Sequence, residues 1–150
     1  MKKIILSIII LLLSNFAANS HVNHYDKLNY LEYELFRNDN SIGYHKYDFI
    51  RKNDTLTIKS EVNFKITKLG VDLYKYFASS EEMYKSNKFY KFSSKTNQNK
   101  KEKYVYIELD SKDKNLVIDG TSYKGKTDKN FIVGTWWNHE IIKAKAQISA

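Results

Sequence analysis

A chain of 150 residues without a single cysteine excludes a disulfide-stapled scaffold and a lipid-attached protein, so burial alone must hold the fold. The formal net charge of +8 is unevenly placed, because Lys85, Lys88, Lys91, Lys95, Lys100, Lys101 and Lys103 crowd a stretch whose only acid is Glu102. Such a length fits one domain.

The first element is Met1–Ser20, with a basic start at Lys2-Lys3, an apolar run from Ile4 to Leu13 and small residues at Ala18 and Ser20. This is the pattern of a cleaved secretory signal helix, too short to span a bilayer at roughly 20 apolar residues. No later segment is apolar enough to span either. A mature domain over 21–150 is expected in the periplasm or outside the cell.

Period-two alternation follows. Leu31, Tyr33 and Leu35 alternate with Glu32 and Glu34, and Tyr47 and Phe49 with Lys46 and Asp48. The clearest run places Leu56, Ile58, Ser60, Val62, Phe64 and Ile66 on one face of a strand and Thr57, Lys59, Glu61, Asn63 and Lys65 on the other. Further strands are expected at Val71–Phe77, which carries aromatics on both faces, at Phe89–Ser94 and around Val105, Ile107 and Leu109. Turn chemistry separates them: Asn38–Ser41, Lys52-Asn53-Asp54, Ser86-Asn87-Lys88, Asn97–Asn99, Ser111–Lys114, and Asp119-Gly120 as a type I′ candidate. Ser79-Ser80-Glu81-Glu82 fits either a capped helical turn or a bulged strand, and 138–150 fits helix or strand. The expected fold is all-β, an antiparallel meander curled into a barrel or half-barrel, with a two-sheet sandwich as the alternative.

Tyr33-Glu34-Leu35-Phe36-Arg37-Asn38-Asp39 followed by Ile42-Gly43-Tyr44-His45 resembles the opening hairpin of the domain of unknown function 6134 family, exported bacterial β-rich proteins. Leu73-Tyr74-Lys75-Tyr76, Phe92–Thr96 and Trp136-Trp137-Asn138 stand where that family carries similar signatures. The resemblance implies a secreted β domain, assigns no activity and carries over no catalytic residue. Members continue past the tryptophan motif through further β-structure, so the resemblance implies that the last strand of a closed barrel is either missing from this chain or supplied otherwise.

Trp136, Trp137 and Asn138, with Tyr74 and Tyr76, are the candidate ligand residues: in a strand the two indoles face opposite ways, one plugging the core and one on display. The seven lysines interleave with Phe89, Tyr90, Phe92 and Tyr104. In a cytosolic protein that mixture suggests single-stranded nucleic acid, but export replaces it with anionic envelope head groups. His139, Glu140 and His45 are acid–base candidates, yet no nucleophile motif, glycine-rich loop or metal-ligand cluster accompanies them, so no catalytic residue and no cofactor is assigned. His21 and His24 are weak metal candidates whose chemistry depends on the cleavage site. The expected function is a non-enzymatic envelope binding module for a lipid or other amphipathic or anionic ligand. The alternatives are an envelope enzyme and a protein that pairs through a sheet edge.

Overall fold

The alternating runs become strands, and Asn- and Asp-rich turns join them into one sheet. The computed structural model describes residues 25–128, 131–144 and 146–148. The signal-like segment, His21 and His24 therefore lie outside the described residues. Eight strands follow one another as nearest neighbours: β1 (Tyr30–Arg37), β2 (Asn40–Lys52), β3 (Thr55–Lys68), β4 (Val71–Lys85), β5 (Lys88–Gln98), β6 (Lys101–Leu109), β7 (Leu116–Gly120) and β8 (Lys124–Thr127). Every pairing among them is antiparallel. Among the described residues β1 and β8 do not pair, so the meander curls without closing into a barrel, and no second layer makes it a sandwich.

Left-handed backbone makes the turns tight. Both residues of the connections Asn38-Asp39, Leu69-Gly70, Ser86-Asn87 and Asn99-Lys100 have positive φ, the requirement of a two-residue type I′ hairpin. Asp119-Gly120 is not such a turn. Both residues belong to β7, and the chain reverses instead over 121–123, where Gly120 N–H donates to the Tyr123 carbonyl at 2.9 Å. Gly43 sits beside a register shift between Leu35 and Phe36, where a Cβ would lie 2.0 Å from the Asn63 carbonyl oxygen. Only glycine lets β2 approach β3 so closely. The Ser79–Glu82 segment forms no helix. It runs inside β4, which continues to Lys85 with a bulge between Met83 and Tyr84.

One face of the sheet is concave and apolar, and its two ends differ. Toward the β2–β3, β4–β5 and β6–β7 turns it carries Tyr47, Phe49, Leu56, Ile58 and Tyr84, and next to them Phe92, Ile107, Leu116 and Ile118, all buried. The segment after residue 130 covers this end. Val133 packs on the second cluster and Trp137 on the first, while β9 (Ile132–Val133) pairs in parallel with β10 (Gln147–Ile148). Residues 138–150 are thus neither one helix nor one strand: where described, they form a single 3-10 turn, His139–Ile142, and the short β10. Trp136 and Trp137 lie in a turn rather than a strand, yet their fates diverge as expected, with 80 % and 4 % exposure.

The Trp137 indole meets Tyr25, Phe49 and Tyr84 edge to face, at ring-centroid distances of 5.2, 5.7 and 6.0 Å. Tyr25 is held in turn by Arg51, whose guanidinium donates to the Tyr25 carbonyl at 2.5 Å and the Leu28 carbonyl at 2.7 Å. Removing a ring so surrounded leaves a cavity, so Trp137→Ala is expected to cost about 3–5 kcal/mol. Trp136→Ala, at an exposed position, is expected to stay within about 0.5 kcal/mol of the parent. Urea unfolding of the two variants checks the contrast.

Candidate functional site

The cover stops halfway along the concave face. Beyond it β3 presents Ser60, Val62 and Phe64, and their register partners on β4 are Ser80, Ala78 and Tyr76. β5 adds Ser94 and Thr96 as partners of Ser80 and Ala78. These residues, with His45 from β2 and the cover residues Thr135, Trp136 and Trp137, line a groove of ≈ 290 Å³. Its apolar wall is a stack of three rings: Phe64 lies 5.1 Å from Tyr76 and 5.7 Å from Tyr74, with interplanar angles of 24° and 28°. The serines and the threonine lie on the same sheet face, two to four residues from the rings toward the covered end, so the groove passes from a hydroxyl-lined stretch to an aromatic one.

Four of the five expected ligand residues therefore share one groove: Tyr74, Tyr76, Trp136 and Trp137. Asn138 does not line it. Its buried side chain instead caps the 3-10 turn, Oδ1 accepting from the Glu140 backbone N–H at 3.0 Å. The acid–base candidates fall in different places. His139 Nδ1 lies 2.9 Å from the Tyr25 hydroxyl oxygen and its Nε2 lies 3.1 Å from Glu140 Oε1, and neither residue lines the groove. His45 does, with Nε2 at 2.9 Å from Ser60 Oγ, and burial pushes its pKa below 6.5.

The seven lysines scatter. Lys85 and Lys88 flank the β4–β5 turn, while Lys100 and Lys101 mark the β5–β6 turn at the other end of β5, roughly 33 Å away. Lys91 and Lys95 pair in register with Glu108 and Tyr104 and point off the convex face. Lys103 pairs with Thr96 and Lys101 with Gln98, both on the concave side, and Lys103 is the one of the seven that lines a cavity there. Among the described residues no cluster of three metal-ligating side chains occurs, and no helix is long and apolar enough to cross a membrane.

The sequence reading passed over Glu82. Only 2 % exposed, it sits at the closed end of the groove and accepts three hydrogen bonds, from Tyr84 Oη (2.5 Å), Trp137 Nε1 (2.8 Å) and Thr135 Oγ1 (3.1 Å). One signal was available: Glu82 shares the parity of Tyr76, Ala78, Ser80 and Tyr84, the inward residues of β4. Burial raises its pKa above 4.5, and the three donors only partly oppose this. The folded chain then holds the proton more tightly than the unfolded one, so this group's contribution to stability falls as pH rises from about 4.5 to the raised value and levels off above it. His45 acts in the opposite sense, because its lowered pKa makes stability fall as pH drops below 6.5. With Glu82→Gln the falling limb disappears. The parent's stability relative to this variant is expected to decline as pH rises above about 4.5, as read from urea midpoints over a pH series.

A family profile described as Domain of unknown function (DUF6134) matches residues 33–150, from the opening hairpin to the cover. No curated protein and no solved structure gives a match. The hairpin, the stacked tyrosines of β4 and the tryptophan-bearing cover all fall within the matched residues, and the chain belongs to the DUF6134 family.

Proposed function

We propose that this chain is a non-enzymatic binding module of the bacterial envelope, exported by its Met1–Ser20 signal, whose groove takes an amphipathic ligand. The observation that carries this is the half-covered concave face. The cover buries one end of the sheet and leaves Phe64, Tyr74 and Tyr76 lining a groove next to Ser60, Ser80, Ser94 and Thr96 on the same sheet face. An apolar wall with a few convergent hydroxyls is the usual build of a small-molecule site. Trp136, mostly exposed at its edge, would add an indole face to a bound chain. The separation of His45, which lines the groove, from the His139–Glu140 pair, which does not, favours binding over acid–base chemistry.

The neutral dye N-phenylnaphthylamine is expected to bind with enhanced fluorescence. Tyr76→Ala and Trp136→Ala are expected to weaken it about tenfold, Trp136→Ala without moving the unfolding midpoint. Absence of binding, or binding indifferent to both substitutions, would overturn the proposal. Mass spectrometry of molecules that co-purify with the native protein identifies the ligand.

The same proposal gives the lysine-rich hairpin an anionic envelope surface as its neighbour. Arg37, Lys68, Lys100 and Lys101, all exposed, border three turns at the open end of the sheet. Co-sedimentation with anionic vesicles is expected at low salt and lost at high salt, because exposed charges are screened. Equal retention by neutral vesicles would remove this half of the proposal.

A further inference from the structure

The groove does not end at Thr96. A second cavity of ≈ 430 Å³ adjoins it and shares Tyr76, Ser94 and Thr96 as common wall. Its remaining lining comes from β5, β6, β7, the 121–123 turn and Ile148, and includes Gln98, Lys103 and Tyr123. Lys103 is its one charged residue, and no acidic side chain lines it. The combined channel is therefore polarised. The buried Glu82 carboxyl closes its covered end, the ring stack of β3 and β4 lies six residues and more beyond it along the strands, and Lys103 stands level with Thr96, across β5 from that stack. Glu82 pairs with Phe92 and Lys103 with Thr96, so the carboxyl and the lysine stand four residues apart along β5, about 13 Å.

Building on the amphipathic-groove reading, we propose that the ligand is a single-chain fatty carboxylate, its chain along Phe64, Tyr74 and Tyr76 and its head at Lys103. Lys103 places the head, because it is the one lysine or arginine among the residues lining the channel and the ring-stack side offers an anion no cation. A groove of ≈ 290 Å³ suits one acyl chain rather than two. A single lysine balances a singly charged carboxylate, whereas a phosphate monoester brings about two negative charges. Thr96 and Gln98, beside Lys103 on the same face, supply hydrogen-bond donors for the carboxylate oxygens.

The test compares four probes of one chain length on the intact protein at about pH 8, where a free carboxyl is ionised: laurate, monolaurin, dodecyl phosphate and dodecyltrimethylammonium. Titration calorimetry is expected to find laurate the tightest. Lys103→Gln is expected to weaken laurate about tenfold, to the level of monolaurin, and to leave monolaurin unchanged. Lys95→Gln, on the convex face of the same strand pair, is expected to change laurate binding less than about twofold. Equal affinity for laurate and monolaurin, or no effect of Lys103→Gln, would overturn the inference while leaving the groove as an amphipath site. Tighter dodecyl phosphate would overturn the carboxylate head, and tighter dodecyltrimethylammonium would place the head at Glu82 instead. Failure of all four probes to bind would overturn the groove reading and this inference together.

Discussion

Half of an amphipathic sheet has to be taken out of water, and here the Trp137 indole is what closes it. A meander of eight strands with one apolar face and no helix to lay across it must curl, pair with another sheet or be capped. This chain curls and then caps itself, using a segment whose only regular structure among the described residues is one 3-10 turn and two strands of two residues. So short a cover contributes little hydrogen-bonded structure of its own, and its position depends on side chains. Trp137 reaches across Phe49 and Tyr84 of the sheet and Tyr25 of the incoming chain, and its N–H is fixed on Glu82.

A cover anchored at one end leaves the other end open, and the inward residues of β3, β4 and β5 change character where it stops. At the covered end they are Leu56, Ile58, Tyr84 and Phe92, and at the open end they become serine, threonine, alanine and stacked aromatic rings. Serines facing an apolar core would need partners, whereas serines facing a solvent-filled groove do not. The composition of these three strands thus matches the extent of the cover. That agreement between local sequence and tertiary arrangement marks the groove as a built feature rather than a packing defect.

The strands were legible because each buries one face, which enforces a period of two, and Asn38-Asp39 and Ser86-Asn87 announced their turns by tolerating left-handed backbone. Leu69 gave no such notice, since its neighbour Gly70 shares the left-handed turn and the leucine side chain is free in solvent. Asp119-Gly120 misled because its turn chemistry was real in composition, while pairing with Val105 and Tyr106 held both residues in β7. The cover was not legible. Its period is neither two nor 3.6, and it is placed by contacts with Glu82 of β4, 55 residues away, and with Tyr25 ahead of β1, 114 residues away, which no local pattern encodes. For the same reason the lysine cluster misled: residues adjacent in sequence on a hairpin are sent to opposite ends and opposite faces of a long strand.

Glu82 joins the two halves of the structure. One of its oxygens receives Tyr84 from its own strand, and the other receives Thr135 and Trp137 from the cover. Its carboxyl is also the floor of the groove. A buried acid costs free energy unless its oxygens are satisfied, so the donors that satisfy it must stay where they are, and two of the three belong to the cover. The carboxylate therefore turns a weakly structured segment into a fixed lid edge. Any ligand that lies along the groove rests against residues whose positions this one side chain sets, so occupancy of the groove and docking of the cover are coupled through Glu82. A ligand that favours the docked cover stabilises the fold by the same free energy with which the docked cover favours the ligand.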